Sequence, residues 1–173
     1  MDYKDKKDRL EKEIACYRLL EELKIEYMAI DHPAAETIAD CAEADKALGV
    51  KMCKNLFLCN TQKTNFYLLM LPGEKVFKTK DISKQLGVAR LSFAPAEYME
   101  RYLNILPGAV SVMGLMNDRE NHVRLLIDRD ILSGEFVGCH PCVNTSSLKI
   151  SVKDLTENFL PAVGHNYTEV TVE

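Results

Sequence analysis

Apolar residues recur at spacings of three and four through 8–24, at Leu10, Ile14, Tyr17, Leu20 and Leu23, with charged residues filling the gaps. That period predicts an amphipathic helix with one buried face. A short strand over 25–30 follows and stops at Asp31-His32-Pro33. A second helix is predicted over 36–48, closed by Gly49, because glycine readily takes the left-handed conformation that ends a helix. Residues 54–59 and 66–71 are β-rich apolar runs on either side of Asn60-Thr61-Gln62-Lys63-Thr64-Asn65, which predicts a hairpin with a loose loop. Thr79 is expected to cap a short helix ending near Leu86-Gly87, and another helix covers 95–103. Further strands are expected at 110–113, 122–127, 136–138 and 148–150. Ser151 with Asp154 resembles a capping box opening a last short helix, and 167–172 alternates as a final strand.

Short helices interleaved with hairpin-like strands predict an α+β fold, a mixed and largely antiparallel sheet flanked by helices. With no repeat, low-complexity linker or shift in composition, the reading is a single domain over 1–173. Hydrophobic residues make up 47% and charged residues 28%, enough for an ordinary core without a disulfide or metal staple. The net charge of −4 argues against coating nucleic acid by bulk electrostatics. A local basic patch able to meet one RNA end is compatible with it. The first twelve residues are mostly charged and predict neither a signal nor a transit peptide. No apolar run approaches the ~20 residues that span a bilayer, so no membrane association is expected. Cysteines at 16, 41, 53, 59, 139 and 142 sit mostly among apolar neighbours, as free thiols of a reducing cytoplasm would.

No phosphate loop, dinucleotide glycine fingerprint or Gly-x-Ser-x-Gly elbow is present. The most unusual stretch is Gly138-Cys139-His140-Pro141-Cys142-Val143-Asn144-Thr145. Its glycine would let a backbone approach a ligand, and its histidine could orient a substrate or relay a proton near neutral pH. A plain turn holding a hydrogen-bonded histidine is the competing reading. Cys139, His140 and Cys142 also suggest zinc, but a structural site needs a fourth ligand, and His165 and His32 could join only through the fold. Cys139 as a thiol nucleophile competes with a buried, inert cysteine. Lys54-Asn55 opens an apolar strand, either as a solubilising flank or as a cation and an amide at a pocket rim. Pro107-Gly108-Ala109-Val110-Ser111 is a second small-residue loop, in which Ser111 can donate or accept a hydrogen bond.

Taken in order, Asp31-His32-Pro33-Ala34, Lys54-Asn55-Leu56-Phe57-Leu58, Pro107-Gly108-Ala109-Val110-Ser111, Leu115-Met116-Asn117-Asp118, Gly138-Cys139-His140-Pro141 and Asn144-Thr145-Ser146-Ser147-Leu148 resemble the YbaK/prolyl-tRNA synthetase-associated superfamily of editing domains. The likeness spans nearly the whole chain and points to the freestanding deacylases of the ProXp-ala or PrdX type. The resemblance implies hydrolysis, without cofactor or metal, of the ester that joins a wrong amino acid to the 3′ end of tRNA(Pro), with alanine the expected amino acid. It implies that Lys54 anchors the phosphate of the terminal adenosine and that Gly138 and His140 hold the aminoacyl group. Asn55, Ser111, Asn144 and Thr145 are then substrate-binding positions. The implied partners are the aminoacyl-tRNA(Pro) 3′ end and either prolyl-tRNA synthetase or an elongation factor, the chain acting as a monomer or homodimer. Val112 departs from the pattern, since relatives commonly have proline there. A Cys-tRNA(Pro) deacylase of YbaK type and a non-catalytic tRNA-binding or regulatory module on the same fold are the alternatives.

Overall fold

The uninterrupted apolar run Phe66–Pro72 dictates the architecture, because a strand with no polar side must be covered on both faces. In the computed structural model, which describes residues 8–35 and 37–173, this run is strand β3. Phe66, Leu68 and Met70 enter one apolar layer, while Tyr67, Leu69 and Leu71 enter another on the opposite face. β3 is the central strand of a five-stranded sheet whose other members are β2 (Cys53–Asn60), β4 (Leu91–Phe93), β5 (Val123–Asp128) and β8 (Tyr167–Val170). Their order is β4-β2-β3-β5-β8. A second sheet has β7 (Ser146–Ser151) between β1 (Tyr27–Asp31) and β6 (Phe136–Cys139), all antiparallel.

The expectation of one largely antiparallel sheet is therefore met by two sheets, and the larger is parallel across β3-β5-β8. The parallel step from β3 to β5 needs a long crossover. It is supplied by α3 (Thr79–Leu86), β4, α4 (Ala96–Leu103) and a 3-10 helix, Val112–Asn117. The sheets meet through a single parallel bridge, Met52 to Gly138. The small sheet, α1 (Glu11–Glu22) and α4 cover one face of the large sheet, with Tyr17, Leu20, Met99, Leu103, Val137 and Ile150 in the shared core. Ile82 of α3 packs on the other face with Leu91 and Val170.

Local differences from the sequence reading have local causes. Glu36, the expected start of the second helix, and residues 1–7 lie outside the described residues. That helix runs as a 3-10 turn, Ala39–Cys41, and then α2, Ala42–Leu48, stopped by Gly49 at φ 62°. Thr79 is the first helical residue rather than the cap of α3, which is Lys78. Residues 110–113 form no strand: Ser111 Oγ accepts the Met113 N–H (3.2 Å) and starts the 3-10 helix, whose Val112, Met113 and Leu115 are buried. A short apolar run is equally compatible with a buried helical turn. Ser151 caps the last helical stretch as expected, accepting the Asp154 N–H at 2.9 Å. No helix among the described residues is long and apolar enough to cross a membrane.

Candidate functional site

β4 pairs only with Leu58–Asn60 of β2, so the first half of β2 has no strand partner on that edge among the described residues. Along an antiparallel strand, successive residues turn their N–H and C=O to alternate edges. The Phe57 carbonyl accepts the Ala94 N–H (2.9 Å) on the β4 side, so Asn55, two residues earlier, presents its backbone groups to that same, unpaired edge. The open edge is the floor of a cleft of about 310 Å³. Met52 lines it from the approach to β2, Cys53 to Leu56 from β2 itself, Ala35, Thr37, Ile38 and Cys41 from the segment after β1, Gly108 and Val110 from the loop before the 3-10 helix, and His140 from the loop after β6.

Lys54, Asn55 and His140, predicted from three separate motif positions, thus share one cavity. Lys54 Nζ donates to the Lys75 carbonyl (2.8 Å), which aims the ammonium along the rim. The Asn55 side-chain amide donates to Cys53 Sγ (3.3 Å), and its Oδ1 is buried with no hydrogen-bond partner among the described residues. An unmet buried acceptor costs ~1–3 kcal/mol, which a ligand donor recovers.

His140 is buried, and its Nδ1 lies 2.8 Å from the Ser146 carbonyl. A carbonyl only accepts, so Nδ1 carries the proton and Nε2 is left with a free lone pair. Burial lowers the histidine's pKa from its ordinary value, the Ser146 carbonyl opposes that effect, and nearby His32 adds to the lowering. His32, which the sequence places in a family segment and weighs as a zinc ligand but not as a substrate-binding residue, belongs to the same cluster. Its Nδ1 donates to the Pro33 carbonyl (2.7 Å), so its Nε2 accepts the Ser147 hydroxyl (2.8 Å). The Ser147 oxygen lies in turn 3.4 Å from His140 Nδ1, and the two rings are 6.0 Å apart. The signal for this pair is the period of a strand: Ile30 faces Ser147 across β1 and β7, which carries His32 beside the loop that holds His140.

The remaining predicted residues do not line the cleft. Gly138 sits in β6, where an added Cβ would stand 2.9 Å from Met52 Sδ, 3.1 Å from the Lys51 carbonyl oxygen and 3.2 Å from Val50 Cγ1. Its small size serves the contact between the two sheets, and it supports the cleft through Met52 rather than facing it. Ser111 is fully buried, its hydroxyl serving as the helix cap. Val112 is the first residue of that 3-10 helix, a position that proline also suits. Asn144 and Thr145 act through their backbones: their carbonyls accept the N–H groups of Ala35 (2.9 Å) and His32 (3.1 Å) and so fix the wall opposite Lys54.

The cysteines around the histidine are buried. Cys139 is pushed well above the usual thiol range by burial and by Cys53, and the free thiol of Cys16 is raised by the neighbouring Cys142 thiol and by burial. His165 is held elsewhere, its Nε2 2.9 Å from the Asp118 carbonyl. Among the described residues no three His, Cys, Asp or Glu side chains converge as a metal-binding group.

Residues 32–157 match the family model of the aminoacyl-tRNA editing domain. The chain is 30% identical over 151 residues to the prolyl-tRNA editing protein ProX of Acetoanaerobium sticklandii, covering 87% of this chain and 92% of that protein. It is 30% identical over 148 residues to prolyl-tRNA synthetase associated domain-containing protein 1 of Mus musculus, covering 83% and 86%. A solved structure described as a candidate trans-editing enzyme for prolyl-tRNA synthetase superposes with a TM-score of 0.71 at 16% identity, covering 96% of this chain and 99% of that one. The fold is shared at that distance.

Proposed function

The chain belongs to the aminoacyl-tRNA editing domain family, and from that membership we propose that it is a trans-editing hydrolase that removes alanine from mischarged Ala-tRNA(Pro). The observation that carries the reading is the meeting in one cleft of Lys54, the unpartnered Asn55 Oδ1 and the free Nε2 of a neutral His140. An aminoacyl ester offers a partner for each. Its terminal phosphate suits the Lys54 ammonium, and its α-amino group is a donor for Asn55 Oδ1. Its carbonyl oxygen finds an N–H donor at the open edge of β2, where negative charge develops during attack.

His140 Nε2 accepts a hydrogen bond from the attacking water. As the water oxygen bonds the ester carbon, its proton passes to Nε2, and it is delivered to the ribose oxygen when the carbon–oxygen bond breaks. The products are the free amino acid and a tRNA with a restored hydroxyl. The ester is already activated, so positioning and oxyanion stabilisation suffice without a covalent intermediate.

Alanine is selected by space. A synthetase pocket made for proline cannot reject a smaller side chain strongly, because one missing methylene is worth only ~1–3 kcal/mol. The cleft takes ribose and amino acid together, and its walls at Ala35, Ile38, Cys41 and Met52 offer apolar contact to a methyl group. In this reading the substrate is met in the cytoplasm, alongside prolyl-tRNA synthetase or an elongation factor, by a monomer or homodimer. The test is deacylation of purified Ala-, Ser-, Cys- and Pro-tRNA(Pro) by the purified chain. Ala-tRNA(Pro) is cleaved well, Ser-tRNA(Pro) less well and Pro-tRNA(Pro) scarcely. Equal rates on Pro- and Ala-tRNA(Pro) would overturn selection by size, and preference for Cys-tRNA(Pro) would assign the chain to the YbaK type.

A further inference from the structure

Beside the cleft runs a second groove of about 520 Å³, lined by Lys54, Leu56, Phe77, Lys78, Lys80 and Phe93, among others. Lys54 and Leu56 line both, so the groove continues the cleft past the lysine at its rim. The groove has three features that no packing requirement explains. Phe93 is 63% exposed, although it ends a strand whose Leu91 is fully buried. Phe77 and Phe93 pack edge to face, the ring centroids 6.2 Å apart at 70°. Three lysines and no carboxylate line the groove, in a chain whose net charge is −4. Asp81, one residue past Lys80, lies outside the lining.

Exposed aromatic rings interleaved with cations are the combination that holds a single nucleic-acid strand: bases stack on the rings and phosphates meet the ammonium groups. We propose that this groove is the track for the unpaired nucleotides that precede the terminal aminoacylated adenosine of the tRNA. The proposal rests on the hydrolase reading for the identity of the strand. It adds a reason why a chain of net negative charge can hold RNA at all, since three lysines gather along the path of one single strand. Phe93 stacks a base, while Lys78 and Lys80 neutralise the phosphates on either side of it.

The experiment measures binding apart from hydrolysis, using uncharged tRNA(Pro) and the same tRNA trimmed of its unpaired 3′ nucleotides, by fluorescence anisotropy at several salt concentrations. The unsubstituted chain binds the intact tRNA more tightly than the trimmed one. Phe93→Ala, an exposed position whose variant retains the native melting temperature, weakens binding of intact tRNA by about five- to a hundredfold and leaves the trimmed tRNA unaffected. Lys78→Gln with Lys80→Gln flattens the log–log salt dependence by about 0.7 for each phosphate no longer neutralised, a change that loss of stacking alone does not produce. Equal affinity for intact and trimmed tRNA would overturn the proposal, as would a folded Phe93→Ala variant with unchanged affinity. Loss of binding to prolyl-tRNA synthetase in that variant, with tRNA affinity kept, would overturn it in favour of a protein-docking surface. Deacylation of Ala-tRNA(Pro) by the unsubstituted chain is measured separately, so failure of the hydrolase reading and failure of the groove are distinguishable.

Discussion

Replacing Gly138 by alanine separates a residue that touches substrate from one that holds the cleft together. The added Cβ meets Met52 Sδ at 2.9 Å, the Lys51 carbonyl oxygen at 3.1 Å and Val50 Cγ1 at 3.2 Å. Met52 can swing away, because its side chain is unbranched and adaptable. The Lys51 oxygen is backbone and can yield only if the segment leading into β2 moves. Overpacking of this kind costs ~1–3 kcal/mol, and for a domain of this size each kcal/mol lowers Tm by ~2–4 °C. The expected loss is therefore ~2–12 °C, read by thermal denaturation. Activity falls with it, because Met52 lines the cleft and His140 follows Gly138 by two residues. Adding Met52→Ala in the Gly138→Ala background removes the closest contact, so the pair should be less unstable than the sum of the single losses, by ~0.5–3 kcal/mol as contacting residues couple. A Gly138→Ala protein that melts like the native chain yet no longer removes alanine would refute the packing account and put Gly138 against the substrate.

Lys54→Ala should keep the native Tm within the small loss of one hydrogen bond to the Lys75 carbonyl, and give up ~1.5–3 kcal/mol of phosphate binding, about ten- to a hundredfold in kcat/KM. Near-normal turnover would exclude Lys54 from substrate placement. Burial holds His140 below its ordinary value of 6.5, so the neutral, active form persists above that value and the acid limb of kcat/KM lies below it. An acid limb above 6.5 would mean that another group limits the rate. The same sign holds for stability: the unfolded chain binds the proton more readily than the folded one, so this histidine makes folding less favourable as pH falls below 6.5. Iodoacetamide and a strong chelator should each leave the rate intact, since Cys139 and Cys16 are buried with raised thiol pKa values and Cys53 is pushed up to about 12. A collapse restored specifically by zinc would overturn the metal-free reading.

The elements with a strong period are legible in the sequence. Ile14, Tyr17 and Leu20 announce α1, whose expected apolar Leu10 instead precedes the helix and is exposed, and the run at 66–71 announces a strand. What that run cannot announce is its neighbours. A strand apolar on both sides says that it is central, yet β3 takes β2 antiparallel on one edge and β5 parallel on the other, and the side chains look the same for either. Residues 110–113 depart from expectation for the opposite reason, as a short apolar run whose backbone is decided by one hydroxyl, Ser111 Oγ on the Met113 N–H.

The site divides along a different line. Lys54, Asn55 and His140 stand out as polar or titratable groups beside apolar runs, but a solubilising flank and a plain turn explain them equally well, and it is the likeness to the editing domains that marks them as a site. Gly138, Ser111, Asn144 and Thr145 come from the same motifs, but a motif records which residues travel together and not which way they face. A glycine needed where two sheets touch leaves the same mark in the sequence as one needed where a backbone meets a ligand. The distinction lies in Met52, which stands 86 positions earlier in the chain. The role of His32 is hidden for a related reason, since its contact with Ser147, 115 positions away, depends on the antiparallel register of β1 with β7. The cleft itself is made of an absence: β4 is three residues long and ends its pairing at Leu58, and the stretch of β2 that it leaves uncovered is the floor on which Lys54 and Asn55 stand.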